Sequence, residues 1–129
     1  MNRTVLLINL KDHRIISDKC LVAESYFSRL RGWIGKTRAE AGEGILFPRN
    51  SSIHMWWMTI PIDVVFLRVE FTEVNGVVTE RKVVTSTHEN VRPWKLLPLN
   101  DRKANETLEL PVGSIGKIGI AVGDVLCIG

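Results

Sequence analysis

The sequence predicts a mainly β fold: a compact antiparallel sheet or small barrel, one short α-helix over about residues 25–34, and room for a second short helical turn around residues 114–119. Three observations carry this. Short runs rich in Val, Ile and Leu recur along the chain between turn-forming clusters, the signature of strands. Asn75-Gly76 sits between two such runs, and a two-residue type I′ hairpin needs φ > 0 at both central positions, which this dipeptide tolerates best. Helices do not alternate regularly with strands, which argues against a doubly wound parallel fold.

In chain order, residues 4–10 form a Val/Leu/Ile-rich strand, Lys11-Asp12-His13-Arg14 a turn, and residues 14–22 a strand that pairs back on the first. Ser25 offers a side-chain oxygen as N-cap, and Tyr26, Leu30, Trp33 and Ile34 follow at helical spacing. Gly35 then suits a left-handed helix terminus. Strands are expected over residues 44–48, 52–59, 62–71 and 77–85. Residues 86–105, with Pro93 and Pro98, read as a long connection with room for a short strand. Residues 107–110 form a further strand, Pro111-Val112-Gly113 turns into the short helical segment, and residues 124–128 close the sheet.

A chain of 129 residues, 45% hydrophobic and 24% charged, fits one domain (residues 1–129) able to bury a core without staples. The net charge of +3 and pI near 9.1 are mild. Arg29, Arg31, Lys36, Arg38 and Arg49 are interrupted by Glu40 and Glu43, so a solvated mixed face is expected, with no nucleic-acid partner. Only TVLLINL follows Arg3. That is too short for a secretory signal or for the ~20 apolar residues of a spanning helix, so a cytoplasmic protein without a membrane partner is expected. Cys20 and Cys127 lie near opposite ends. Without a signal they read as reduced thiols, and two ligands alone cannot complete a zinc shell. Neither disulfide, metal nor cofactor is expected. The oligomeric state is left open.

A set of ordered blocks carries a resemblance. Arg29-Leu30-Arg31-Gly32-Trp33-Ile34-Gly35 is followed by Gly42-Glu43-Gly44-Ile45-Leu46-Phe47, Ser52-Ile53-His54-Met55 and Pro61-Ile62-Asp63-Val64-Val65-Phe66-Leu67. Then come Arg92-Pro93-Trp94, Leu108-Glu109-Leu110-Pro111-Val112-Gly113 and Gly119-Ile120 with Gly123-Asp124. Together they resemble the bacterial and archaeal family of domain of unknown function 192 over about residues 24–128, leaving the N-terminal hairpin of residues 1–22 outside. The resemblance implies a single β-rich domain. It implies no established activity, substrate or cofactor, and so no catalytic residue. The family commonly places an acidic residue just after the last apolar position of the Pro-Ile-Asp strand. Here Arg68 stands there, and residues 69–74 lengthen the following hairpin.

The segment SSIHMWWMTIPIDVVFL, residues 51–67, is the richest in candidate chemistry. Read as a strand, it puts His54, Trp56 and Met58 on one face and Met55 and Trp57 on the other. Both tryptophans are expected to be buried, because leaving either in water forfeits roughly 1.5–3 kcal/mol. His54 with Met58 has the ligand types of a Cu(I) site, but core filling and a backbone hydrogen bond account for both more simply. Asp63 interrupts an apolar run and must find donors. Arg31 and the backbone of Thr59-Ile60-Pro61 are the expected sources, with general-base chemistry as the alternative. His88, Glu89, Arg92 and Trp94 fall in the long connection, where Arg92 and Trp94 could clamp an anionic or ring-bearing ligand. The block from Leu108 to Gly113 reads as turn chemistry first. The expected function is a non-enzymatic binding module for a small polar ligand or protein partner, with candidate site residues His54, Trp56, Asp63, Arg92 and Trp94. A small acid–base enzyme using Asp63 and His54, or a copper-handling protein, are the alternatives.

Overall fold

The computed structural model describes residues 3–23, 40–53, 55, 58–93 and 98–129. The helix expected over residues 25–34 and the Arg31 partner proposed for Asp63 lie outside these residues, as do His54, Trp56, Trp57 and Trp94.

Among the described residues nine strands form: β1 (Arg3–Asn9), β2 (Ile15–Val22), β3 (Glu43–Phe47), β4 (Ser52–Ile53), β5 (Ile62–Val74), β6 (Val77–Val91), β7 (Leu99–Asn100), β8 (Glu106–Pro111) and β9 (Val125–Ile128). One helical turn, α1 (Ser114–Ile118), lies between β8 and β9. Seven strands close a barrel in the order β1-β2-β3-β8-β5-β6-β9, and β9 pairs back on β1. Closure gives each of these seven strands a neighbour on both sides within the barrel, so the barrel itself has no free edge. All neighbours are antiparallel except β2 and β3, where Cys20 faces Gly44 and Leu21 faces Ile45 in parallel register. The expected barrel is therefore present, with one parallel pair that an all-antiparallel reading lacks.

Two cores follow from the period of two along the central strands. Leu46, Val65, Leu67, Leu108 and Leu110 point into the barrel with Leu7, Leu126 and Ile115 of α1. Their sequence neighbours Ile45, Phe47, Ile62, Val64 and Phe66 point outward into a second core with Ile53, Met55, Met58 and Ile60. Strands β3, β8 and the first half of β5 are thus buried on both faces, which explains their nearly continuous apolar runs.

Two expectations fail. The strand predicted over residues 52–59 stops at Ile53; the Met58 N–H donates to the Met55 carbonyl at 3.3 Å, and both methionines are buried in the same core. The alternation expected to place them on opposite faces does not hold. The long connection predicted from residue 86 begins later, because β6 runs to Val91 and carries His88 and Glu89. The polar run Thr85-Ser86-Thr87-His88 hid a strand that covers a half-buried barrel wall. The strand expected over residues 107–110 forms as β8, buried along its length, and holds Glu109 at 0% exposure.

The Asn75-Gly76 turn forms as predicted, with φ of 52° and 78°. The hairpin it closes is longer than expected. Beyond Leu67 on β5 and before Lys82 on β6, the two strands pair only with each other. They form an arm that leaves the barrel and exposes Phe71, Val74, Val77 and Val78.

Candidate functional site

Asp63 lies on the barrel-interior side of β5, opposite Leu110 and in line with Val65. It is fully buried, as the apolar run around it predicts. Its donors come from places the sequence did not suggest. Oδ1 accepts the Asn90 N–H and Oδ2 accepts the Ile115 N–H, each at 2.9 Å. Both donors have a structural origin. β6 carries an extra residue between the partners of Ile62 and Val64, and within that irregularity Asn90 takes a left-handed φ of 52°. A bulge leaves a backbone N–H unpaired in the ladder. Ile115 is in the first turn of α1, whose N–H groups have no intrahelical acceptor. One carboxylate thus satisfies a bulge and a helix start together, fixing α1 across the barrel end.

Beside α1 runs a cleft of about 480 Å³ between the starts of β2 and β3 and the end of β8. Ile15, Val112 and Ile118 supply apolar wall; Asp18, Glu43 and Lys117 supply charge. The floor depends on Gly42. Its φ is +88°, and a Cβ there would lie 2.3 Å from Asp18 Oδ1, so a side chain would push into the carboxylate. The Gly42 carbonyl accepts the Ser17 hydroxyl at 2.7 Å. At the far end of α1, the Arg14 guanidinium donates to the Ile118 carbonyl and pairs with Asp12 at 3.1 Å. The walls of the cleft are therefore held by hydrogen bonds from Ser17 and Arg14.

A polar cluster lies on the outer face of the same sheet. The second bulge of β6 falls at Thr85, whose hydroxyl reaches the Phe66 carbonyl and Asp101 Oδ2 at 2.7 Å. Ser86 donates to the same oxygen at 2.6 Å, and His88 Nε2 lies 3.2 Å from Ser86 Oγ. Because the serine hydrogen goes to the carboxylate, its oxygen is left to accept from the imidazole. This order does not activate the serine as a nucleophile. Burial lowers the His88 pKa, partly offset by the nearby Asp101 charge. Burial raises that of Asp101, but the Ser86, Thr85 and Lys103 hydrogen bonds outweigh it and leave it lowered. The His88 ring meets Phe66 edge-on at 5.5 Å. Across β3, β8, β5 and β6, the residues Ile45, Glu109, Val64 and His88 stand in one register row.

Of the residues singled out by sequence, Asp63 is at the α1 end and Arg92 is exposed immediately after β6. His54, Trp56 and Trp94 are outside the described residues. The sequence reading missed the cleft residues Asp18, Val112 and Lys117, which come from distant segments. It also missed Glu109, whose signal was present: Thr107-Leu108-Glu109-Leu110 alternates as a strand. Cys20 is buried and unbonded to Cys127, and burial pushes its thiol pKa up to about 12. Among the described residues no group of three or more His, Cys, Asp or Glu is placed to hold a metal ion, and no helix is long and apolar enough to cross a membrane.

Fold and site together define a small closed β-barrel with a helical turn across one end and a ligand-sized cleft beside it. The chain belongs to the DUF192 family, described as "Uncharacterized ACR, COG1430", matching it over residues 8–128. The matched span includes the end of β1 and all of β2. A UPF0127 protein of Thermococcus sibiricus is 28% identical over 123 residues, 92% of this chain and 71% of the relative. Among solved structures, a candidate transcription regulator from Sinorhizobium meliloti is similar, with a TM-score of 0.74 at 21% identity over 99% of this chain and 94% of the other. A protein of unknown function from Novosphingobium aromaticivorans gives 0.73 at 20% identity, over 98% and 84%. At these identities the two structures support the fold alone.

Proposed function

We propose that this protein is a non-enzymatic binding module whose barrel presents the cleft beside α1 to a small polar ligand or a short segment of a partner protein. The cleft itself carries the reading. Its volume of about 480 Å³ lies within the roughly 300–1,000 Å³ typical of ligand sites. Its walls combine Ile15, Val112 and Ile118 with the opposed charges of Asp18 and Lys117. This suits a ligand with a compact apolar body and both a cationic and an anionic end.

Asp63 supports binding over acid–base chemistry, since both carboxylate oxygens are taken up by backbone donors. It acts as a positioning residue for the cleft wall.

A thermal-shift screen of amino acids, short peptides and other zwitterions tests the proposal. A ligand that raises the midpoint of the parent chain should lose most of that shift in Val112→Asp and Lys117→Ala. Both side chains are exposed, so neither variant should lower the ligand-free midpoint appreciably. A hit that stabilises parent and variants equally contradicts the site.

A further inference from the structure

The barrel mouth opposite α1 carries a second constellation that the binding reading does not use. Lys82 is only 3% exposed, and its ammonium donates to Glu106 Oε1 at 2.7 Å and Glu80 Oε1 at 2.8 Å. Burial alone would pull the lysine pKa down, but the two carboxylates outweigh it and leave it raised. Burial raises the Glu106 pKa despite Lys82, with the Glu80 charge adding to the rise. Both directions fit two carboxylates sharing one ammonium. That ammonium has three N–H donors; among the described residues two are engaged and the third is left over.

Around this trio lies a cavity of about 410 Å³, completed by Arg3, Arg49 and the apolar walls of Val22 and Leu46. Arg3 is the first residue of β1. Arg49 follows Pro48 at the end of β3 and takes a left-handed φ of 54°. Neither guanidinium has a hydrogen-bond or ion-pair partner among the described residues. Three cations against two carboxylates leave the cavity with a net positive charge. The carboxylates are already committed to Lys82, whereas the arginines are not. A guanidinium presents paired donors that match a carboxylate or phosphate.

We propose that this mouth is a binding site for a small molecule bearing a carboxylate or phosphate group. Arg3 and Arg49 hold the anionic head, and the remaining Lys82 donor and the walls of Val22 and Leu46 face its body. The site is independent of the cleft beside α1, at the other end of the barrel.

Calorimetric titration of the full chain at low salt with inorganic phosphate and, separately, with succinate tests this. Saturable binding of at least one is expected. The better ligand assigns the head group as phosphate or carboxylate. An Arg3→Gln/Arg49→Gln double variant should bind it at least tenfold more weakly, while Arg102→Gln, exposed and outside this cavity, should match the parent. Amide NMR on the parent supplies a readout free of substitution, with shifts expected around Val22, Leu46 and Lys82. No saturable binding of either anion overturns the proposal, as does equal affinity in the double variant or perturbation confined to other parts of the barrel.

Discussion

Asp63 accepts from two backbone N–H groups, one in β6 and one in α1, so its replacement exposes a cost in two elements at once. Asp63→Ala should destabilise the chain by about 1–3 kcal/mol for each buried donor left unpaired, read as a lowered urea midpoint. Amide exchange should quicken at Asn90 and Ile115, the two donors. An unchanged midpoint contradicts the latch. The carboxylate was legible in the sequence because a charge inside an apolar strand must be partnered. Its partners were not, since a bulge at Asn90 and a helix start at Ile115 are products of tertiary register.

His88 gives a pH signature at the same scale. Its folded-state pKa is lowered by burial beside Phe66 and Ser86, with only Asp101 opposing. A histidine whose folded pKa lies below its unfolded value contributes stability above the unfolded pKa and loses it as pH falls through the folded one. Stability should therefore decline from about pH 6.5 downward. Urea midpoints at pH 7.5 and 5.5 should differ in the parent and differ less in His88→Gln; equal differences in the two would exclude His88 as the source.

At the scale of elements, the arm formed by the outer halves of β5 and β6 stands apart from the barrel. Gly76 has φ +78° with no atom within 4 Å of a built Cβ, so Gly76→Ala meets only backbone strain, about 1–2 kcal/mol. That strain should appear as faster exchange in the arm, with little change at Leu108 or Val65. Phe71 is 70% exposed, and Phe71→Thr should change stability by no more than about 0.5 kcal/mol. A larger loss would mean that the ring is packed. The turn was legible because Asn-Gly chemistry is local. The arm's length was not, because nothing local tells a paired strand inside a barrel from one that has left it. Likewise β6 was cut short by reading the chain from Ser86 onward as a connection, when the bulge at Thr85 lets Thr85 and Ser86 bond Asp101.

The two ends of the barrel differ: α1, anchored on Asp63, lies at one, and at the other the buried Lys82 is paired with the buried Glu106 and the exposed Glu80. Lys82→Ala should cost about 3–5 kcal/mol, since it strands Glu106 in a buried site; a loss below about 1 kcal/mol, again from urea midpoints, contradicts that role. The sequence pattern reached a β-rich sheet or small barrel because strand periodicity is written in adjacent residues. Closure through β1 and β9, and the parallel β2–β3 pair, depend on contacts between distant segments. The cleft escaped for the same reason: Asp18, Gly42, Val112 and Lys117 share no motif. The central claim is that this cleft is where the barrel binds. Its most direct test is a backbone-amide NMR titration of the full chain with a ligand found by thermal shift. Saturable shift changes are expected at Asp18, Gly42, Ser114 and Lys117, with little change at the arm. Saturable changes that leave those four amides unmoved would contradict it.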